Sequence, residues 1–353
     1  MRIMVTGAAG FIGSAYVRGL LSGTLTDSSD LRVTVVDKLT YAASTDNLAP
    51  VATDPRYTFV KADIADAAAM AEVVPDHDVV VNFAAESHVD RSIARPENFV
   101  TTNVVGTHIL LRAALEAKAG RFLQVSTDEV YGSVEFGSWT EDSPLNPNSP
   151  YAASKAAADM LVSAYARTYG MDVRITRCGN NYGPRQHPEK LIPRFITNLL
   201  DDLPVPVYGD GLNVRDWIHV DDHCRAIQLV LERGLPGEVY HVGGGTELPN
   251  LAVAKQLIEA CGATGDRIRH VTDRPGHDFR YSLDGGKLAA LGFAPRTPFA
   301  AGLAQTVDWY RENRAWWGPI KAAATAAAEG SLPSSLGTCP SAYAARRDSS
   351  GIG

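Results

Sequence analysis

Long apolar runs are missing from this chain of 353 residues: nothing approaches the roughly 18 consecutive apolar residues that a membrane-crossing helix needs. Met1-Arg2 leads straight into a short strand-like run and not into a leader segment. No membrane partner is expected, and a cytoplasmic location follows. An excess of positive charge is also absent, because 33 Lys and Arg stand against 40 acids for a net charge of -7. That excludes a global attraction to nucleic acid, so an anionic ligand must be met by a local cluster of cations. Cysteine is scarce. Cys178, Cys224, Cys261 and Cys339 lie far apart with no Cys-x-x-Cys, which argues against a disulfide framework and for reduced thiols. No metal site is expected either: in His219-Val220-Asp221-Asp222-His223 the first His lacks the following Glu of a zincin, and Asp222-His223 reads as a helix opening.

What is present is enough apolar material, 45% of residues, for a large core. Ile3-Met4-Val5-Thr6 followed by Gly7-Ala8-Ala9-Gly10-Phe11-Ile12-Gly13 reads as strand, glycine turn and helix start, whose backbone N–H groups can approach a pyrophosphate. Further strands are expected at Leu31–Val36, Tyr57–Val60, Val79–Phe83, Phe122–Val125 and Val173–Thr176, separated by helical patterns, which implies parallel βαβ units. Asp37 stands after the second strand, where a carboxylate binds an adenosine ribose diol and repels a 2'-phosphate; NAD is therefore favoured over NADP, with Lys38 tempering the preference. Asp63-Ile64 is expected against adenine, and the small Ala84-Ala85 would let backbone pass close under the cofactor.

Two carboxylates follow the fifth strand in Ser126-Thr127-Asp128-Glu129-Val130-Tyr131-Gly132. Adjacent strand residues point to opposite faces, so Asp128 and Glu129 converge on one substrate only if the strand has already given way to a loop. An acid pair in a loop is also an ordinary solvated turn. Downstream, Ser149 offers an N-cap oxygen and Pro150 a first helical position for a helix to Tyr169, making Tyr151 and Lys155 i and i+4 neighbours on one face. An ammonium beside the phenol lowers the Tyr pKa towards neutrality, as a general base requires, although a surface Tyr packed on a Lys stem gives the same pattern.

With the glycine turn, Asp37, Ser126-Thr127 and Tyr151/Lys155 in that order, the chain resembles an extended short-chain dehydrogenase/reductase. More finely, it resembles the dTDP-glucose 4,6-dehydratases through Asp37-Lys38-Leu39-Thr40-Tyr41-Ala42, Ala84-Ala85-Glu86-Ser87-His88-Val89-Asp90-Arg91-Ser92, Ser126 to Gly132, Asn180-Asn181-Tyr182-Gly183-Pro184, Pro188-Glu189-Lys190-Leu191-Ile192-Pro193 and Asp273-Arg274-Pro275-Gly276-His277-Asp278. The likeness runs from Met1 to about Trp317, with departures at Ala8, Gly179 and Arg185, the last expected at the rim of the sugar pocket. It implies a doubly wound parallel Rossmann sheet with a smaller α/β C-terminal substrate domain. The boundaries are 1–178 for the NAD-binding part, 179–320 mainly for the nucleotide sugar with some strands returning to the sheet, and 321–353 for a tail, Ala-rich and then mobile beyond Gly330.

The resemblance implies NAD as cofactor, held by Gly7, Gly10, Phe11, Ile12, Gly13, Asp37, Lys38, Leu39, Thr40, Asp63, Ile64, Phe83, Ala84, Ala85, Ser87, Thr102, Tyr151, Lys155 and Asn181. It implies dTDP-glucose as substrate, held by Ser87, Thr127, Asp128, Glu129, Asn180, Lys190, Leu191, Pro206, Tyr208, Arg215, Asn250, Arg274 and His277, with Arg215, Arg274 and His277 at the diphosphate. In the implied reaction Tyr151, assisted by Lys155 and with Thr127 positioning the hydroxyl, deprotonates the C4 hydroxyl as NAD takes hydride from C4. Glu129 then removes the C5 proton, protonated Asp128 releases the C6 hydroxyl as water, and hydride returns to C6. Related enzymes also pair the helices expected at Glu97–Lys118 and Pro150–Tyr169 across a two-fold axis, so a homodimer is expected. A nucleotide-sugar 4-epimerase shares the glycine turn, Tyr151 and Lys155 but has no need for Asp128 and Glu129; a decarboxylase typically carries Ser-Glu there. A non-catalytic NAD-sensing protein usually loses Tyr or Lys, and both remain.

Overall fold

The computed structural model describes residues 1–28 and 30–329. Short Val- and Ile-rich strands build its centre, and the central runs Ile3–Val5 and Val79–Val81 are apolar throughout, because a strand covered on both faces needs apolar side chains on both. They form β1 (Arg2–Thr6), β2 (Arg32–Asp37), β3 (Tyr57–Lys61), β4 (Val79–Asn82), β5 (Arg121–Thr127) and β6 (Val173–Cys178). The chain continues through β7 (Asn180–Tyr182), β8 (Val205–Tyr208), β9 (Val214–His219), β10 (Val239–Val242), β11 (Glu247–Pro249) and β12 (Ile268–Val271). The main sheet has seven parallel strands in the order β10-β6-β5-β4-β1-β2-β3. This is the doubly wound Rossmann arrangement, and its strand order reverses beside β1, where a crevice opens at the carboxyl ends.

Residues of β1 alternate between the faces of the sheet: Ile3 and Val5 pack with Leu20, Val81, Leu123 and Ile227, whereas Met4 packs with Val80, Leu110, Phe122 and Val162. A separate core of Ile192, Phe195, Trp217, Leu257, Phe299 and Trp317 supports the later region. There β7, β9 and β11 make a three-stranded sheet, and β8 pairs with β12. Strand β10 returns to the main sheet beside β6, with Val239 opposite Ile175 and Val242 opposite Cys178.

Several local expectations shift by a residue or two. Strand β5 runs on through Ser126 and Thr127, and β6 reaches Cys178, because both remain paired up to the register Thr127 opposite Cys178. Helix Pro150–Tyr169 starts as expected, with Ser149 Oγ accepting from Ala152 N at 3.1 Å and Pro150 at its first position. The expected helix Glu97–Lys118 is helical from Glu97 to Glu116, but its winding changes: Glu97–Phe99 leads into a wide π-helical stretch over Val100–Gly106 before Thr107–Glu116. Within that stretch Asn103 exchanges hydrogen bonds with the backbone of Glu86 and donates to Ser154 Oγ at 2.8 Å, which ties it to the loop after β4 and to the neighbouring helix. Helix Val220–Arg233 is capped by His219, not opened by Asp222; the Asp222 carboxylate accepts from Arg296 N and Thr297 N. Among the described residues no group of three or more His, Cys, Asp or Glu could hold a metal ion, and no helix is long and apolar enough to cross a membrane. Helix Arg314–Glu329 covers the Ala-rich segment. The expected mobile tail lies outside the described residues.

A buried polar network locks the helix to the sheet. Arg177 Nε on β6 donates to Asp159 Oδ2 at 2.9 Å, Arg177 also donates to the Tyr131 hydroxyl, and that hydroxyl lies 2.6 Å from His241 Nε2 on β10. Removing one partner of a buried ion pair strands the other charge, so Asp159→Ala should lower stability by about 3–5 kcal/mol. Urea unfolding followed by circular dichroism checks this; the midpoint should fall with an unchanged slope.

Candidate active site

A single cleft runs along the carboxyl ends of β1, β2, β4, β5 and β6. At one end the glycine turn requires its glycine: Gly7 has φ +64°, and a Cβ there would lie 2.5 Å from Ala84 N. The following helix starts at Gly10 with no side chain capping it, which leaves its first N–H groups facing the cleft as anion donors. Asp37 ends β2 and accepts from Ala9 N at 3.0 Å and Leu39 N at 2.8 Å, while burial raises its pKa. Lys38 Nζ bridges Thr102 Oγ1 at 3.1 Å and Asp63 Oδ2 at 3.4 Å. These groups fit a dinucleotide: a pyrophosphate cradle, a carboxylate beside it at the end of β2, and the small Ala84 and Ala85 in the same lining.

At the other end, Thr127 closes β5 and accepts from Glu129 N at 3.3 Å, capping a short 3₁₀ turn over Asp128–Tyr131. The strand thus gives way where the acid pair needs it to, and both carboxylates line the same cleft. Gly132, at φ +74°, ends the turn; a Cβ there would meet Asn146 O at 2.4 Å. Asp128 is buried, its Oδ1 accepting from Thr127 Oγ1 at 3.2 Å and its Oδ2 without a partner. Burial, then the Glu129 charge, hold its pKa well above the ordinary carboxylate value. Burial raises the Glu129 pKa as well, but by less, because Arg274, Lys190 and Arg215 offset part of it. One member of the pair is thereby an acid and the other a base.

Tyr151 and Lys155 line the cleft together, beside Cys178. The expected lowering of the phenol pKa by Lys155 is not found: burial, Glu129 and Cys178 hold the Tyr151 pKa well above its ordinary value, with Thr127 offsetting part. Lys155 is instead turned to the sheet, where Nζ donates to Val125 O at 2.6 Å, and burial lowers its own pKa. Asn181 is fixed by His223, whose Nδ1 lies 2.8 Å from its Oδ1.

Of the residues expected at the cofactor, all except Leu39 line the cleft, as do Asn180, Lys190 and Leu191 among those expected at the substrate. Pro206, Tyr208, Arg215, Asn250, Arg274 and His277 lie outside its lining. Four of these are engaged by neighbours. Arg215 donates to the carbonyls of Val214 and Asp278 with its guanidinium 4.3 Å above the Tyr281 ring, Arg274 pairs with Asp90 at 3.5 Å, Tyr208 donates to Asp90 at 3.1 Å, and His277 Nδ1 lies 2.7 Å from Asp273. Arg185 is not at the pocket rim; it donates to Asp46 O at 3.1 Å and lies over Trp309. Sequence reasoning missed Cys178, Gln186, His187, Glu189 and Trp217 as lining residues. Glu189 stood within a quoted motif, but its role depends on partners more than 90 residues away in the chain.

The acid pair predicts a pH profile. Activity should rise as Glu129 loses its proton and fall as Asp128 loses its own, and Arg274→Ala, which removes the largest influence lowering Glu129, should move the rising limb to higher pH. Initial rates between pH 5 and 10 for both proteins check the direction.

The family model described as GDP-mannose 4,6 dehydratase matches residues 4–306. A dTDP-glucose 4,6-dehydratase of Streptomyces niveus is 60% identical over 322 residues, covering 91% of this chain and 96% of the relative. One of Actinoplanes sp. is 58% identical, covering 90% and 100%. Among solved structures, a dTDP-glucose 4,6-dehydratase of Streptomyces venezuelae with NAD bound superposes with a TM-score of 0.89 at 60% identity, over 91% of this chain and 100% of that one. A Thermus thermophilus UDP-glucose 4-epimerase in complex with NAD gives 0.80 at 33% identity, over 89% and 100%. Epimerases thus share the fold at half the identity, and the chain belongs to the GDP-mannose 4,6 dehydratase family, within its dTDP-glucose 4,6-dehydratase branch.

Proposed function

We propose that this chain is an NAD-dependent dTDP-glucose 4,6-dehydratase, a hydro-lyase of deoxysugar biosynthesis that oxidises C4, eliminates water across C5 and C6 and reduces C6. The observation that carries this reading is the pair Asp128/Glu129 lining one cleft with unequal proton affinities, Asp128 raised further than Glu129, in the same lining as Tyr151 and Lys155. An epimerase has no elimination step for such a pair to serve.

Bound NAD supplies the two-electron acceptor and a positive charge. Gly10 to Gly13 would hold its pyrophosphate and Asp37 its adenosine ribose, with Asp63 and Ile64 on the adenine side. For Tyr151, oriented with Thr127, to accept the C4 hydroxyl proton its phenol must first be ionised; burial and then Glu129 oppose that, and bound NAD would supply offsetting positive charge. Once C4 is a ketone the C5 proton is acidic. Glu129 removes it, and Asp128, kept neutral by burial, donates to the departing C6 hydroxyl. Arg215, Arg274 and His277 take the diphosphate, and Arg274 Nε is buried and unpartnered in readiness for an acceptor. We assign residues 1–178 mainly to the cofactor and 179–320 mainly to the nucleotide sugar, in a cytoplasmic enzyme. It works as a homodimer through the faces of Glu97–Phe99, Val100–Gly106 and Pro150–Tyr169, where Val100, Met160 and Tyr169 are 51%, 57% and 58% exposed.

Three measurements test this reading. Asp128→Asn and Glu129→Gln should retain NAD and still oxidise C4, while water loss from dTDP-glucose, followed by mass spectrometry, falls roughly a hundred-fold or more. A substitution that abolishes C4 oxidation yet spares elimination from a supplied 4-keto sugar contradicts the assignment. Arg274→Ala should weaken dTDP binding roughly ten-fold to a hundred-fold by calorimetry, since a charge-assisted contact is lost and Asp90 loses its cationic partner. Arg274→Lys should recover only part of it, because an ammonium cannot reproduce the guanidinium fork. Sedimentation should show a dimer at micromolar concentration, and Met160→Arg should shift it to monomer.

A further inference from the structure

Three loops border the cofactor end of the cleft, and one carboxylate outside the reaction chemistry joins them. The loop after β2 contributes Thr40, Ala42 and Ala43 to the lining, and the loop after β4 contributes Glu86 and Ser87. The segment after β7 contributes Gln186, His187, Glu189 and Lys190. From that last segment the Glu189 side chain, 9% exposed, reaches across both others. Its Oε1 accepts from Tyr41 OH at 3.0 Å, and its Oε2 from Arg91 Nε at 3.2 Å. His187 and His88 stand 3.7 and 3.9 Å away. The Arg91 guanidinium in turn covers the Tyr41 ring 3.6 Å from its centroid, with His187 edge-on to that ring at 5.5 Å. Two further ties flank the hub: Lys190 Nζ donates to Ser87 O at 2.6 Å, and Arg185 to Asp46 O at 3.1 Å.

This arrangement is unlike a surface ion pair, which contributes little. Glu189 is largely withdrawn from solvent, yet its pKa is lowered; burial acts to raise it, and His88, Lys190, His187 and Arg91 together outweigh that. Each contact is charge-assisted, and a cation over an aromatic ring adds to them. Strands β2 and β4 flank β1 in the main sheet and β7 belongs to the smaller one, so a dinucleotide lying across β1, β2 and β4 is enclosed when the loops that follow β2, β4 and β7 are joined. A reaction that returns its cofactor to the starting oxidation state within each turnover has no need to release it.

We propose that Glu189 is the centre of a clasp, completed by Tyr41 and Arg91, that positions the three loops over bound NAD and limits its escape. The proposal rests on the dehydratase reading for the identity of the cofactor. Glu189, Tyr41 and Arg91 are positioning residues: they act on the cofactor through the loops they join and take no part in proton transfer.

The test is NAD exchange. Holoenzyme loaded with NAD is mixed with excess fluorescent etheno-NAD, and the exchange rate is read for wild type, Glu189→Gln, Arg91→Ala and Tyr41→Phe. Release should accelerate roughly ten-fold to a hundred-fold in Glu189→Gln, as expected for loss of a charged partner, and by a smaller factor in Tyr41→Phe. Affinity for dTDP should change less than two-fold, and the kcat reached with added NAD should be retained while the NAD concentration needed for half-maximal rate rises. Tyr41→Phe removes a single hydroxyl from a side chain 39% exposed, so it reports on the clasp even if Glu189→Gln destabilises the fold. Equal release rates from an active wild type and all three variants overturn the clasp and leave the dehydratase reading standing. A wild type that binds dTDP-glucose but no NAD overturns both.

Discussion

The cost of withdrawing two adjacent carboxylates from water governs this site. Asp128 and Glu129 sit where β5 turns into a 3₁₀ turn, and no cation is bonded to either among the described residues. A salt bridge to Asp128 would stabilise the turn but fix that carboxyl as an anion and remove the acid. The positive groups stand off instead. Arg215 is turned onto the carbonyls of Val214 and Asp278, and Arg274 onto Asp90, so they bias the pair from a distance and Glu129 feels them more than Asp128 does. Local stability is given up for a difference in proton affinity.

The same economy explains Tyr151. Its environment disfavours phenolate, because the hydroxyl is buried and the Glu129 carboxylate is near, while Lys155 spends a hydrogen bond on Val125 O. Proton affinity at this position depends on what the cleft holds. A tyrosine that ionised freely would be a base at all times; this one becomes a base when cationic charge is assembled next to it. Chemistry and occupancy are coupled through one dielectric environment.

Much of this was legible in the sequence, for reasons that differ by element. The glycine turn could be read because Gly7 occupies a conformation and a close approach to Ala84 that a side chain forbids, and Ser149-Pro150 because capping is a local interaction. Both depend on neighbours within a few residues or on backbone sterics. The widened winding after Phe99 could not be read, since Asn103 answers to Glu86 and Ser154 from other elements. Nor could the direction of the Tyr151 shift: i, i+4 spacing puts Lys155 on the right helix face but does not say that its ammonium turns to Val125. Arg185 was expected at the sugar and found against Asp46 and Trp309 for the same reason, as its partners lie more than a hundred residues away.

The late return of β10 to the main sheet has a consequence for synthesis. Until Val239–Val242 pairs with Ile175–Cys178, β6 presents an open parallel edge, and about sixty residues separate the two segments in the chain. At a translation rate of about 5–20 residues per second that edge is bare for roughly 3–12 s on each ribosome. The strand left waiting is VRITRC, in which Arg174 and Arg177 interrupt the apolar run. Buried at last, these two arginines bind Gly234 and Asp159; while the nascent chain is incomplete, they are charged gatekeepers that discourage a neighbouring polypeptide from adding its own strand.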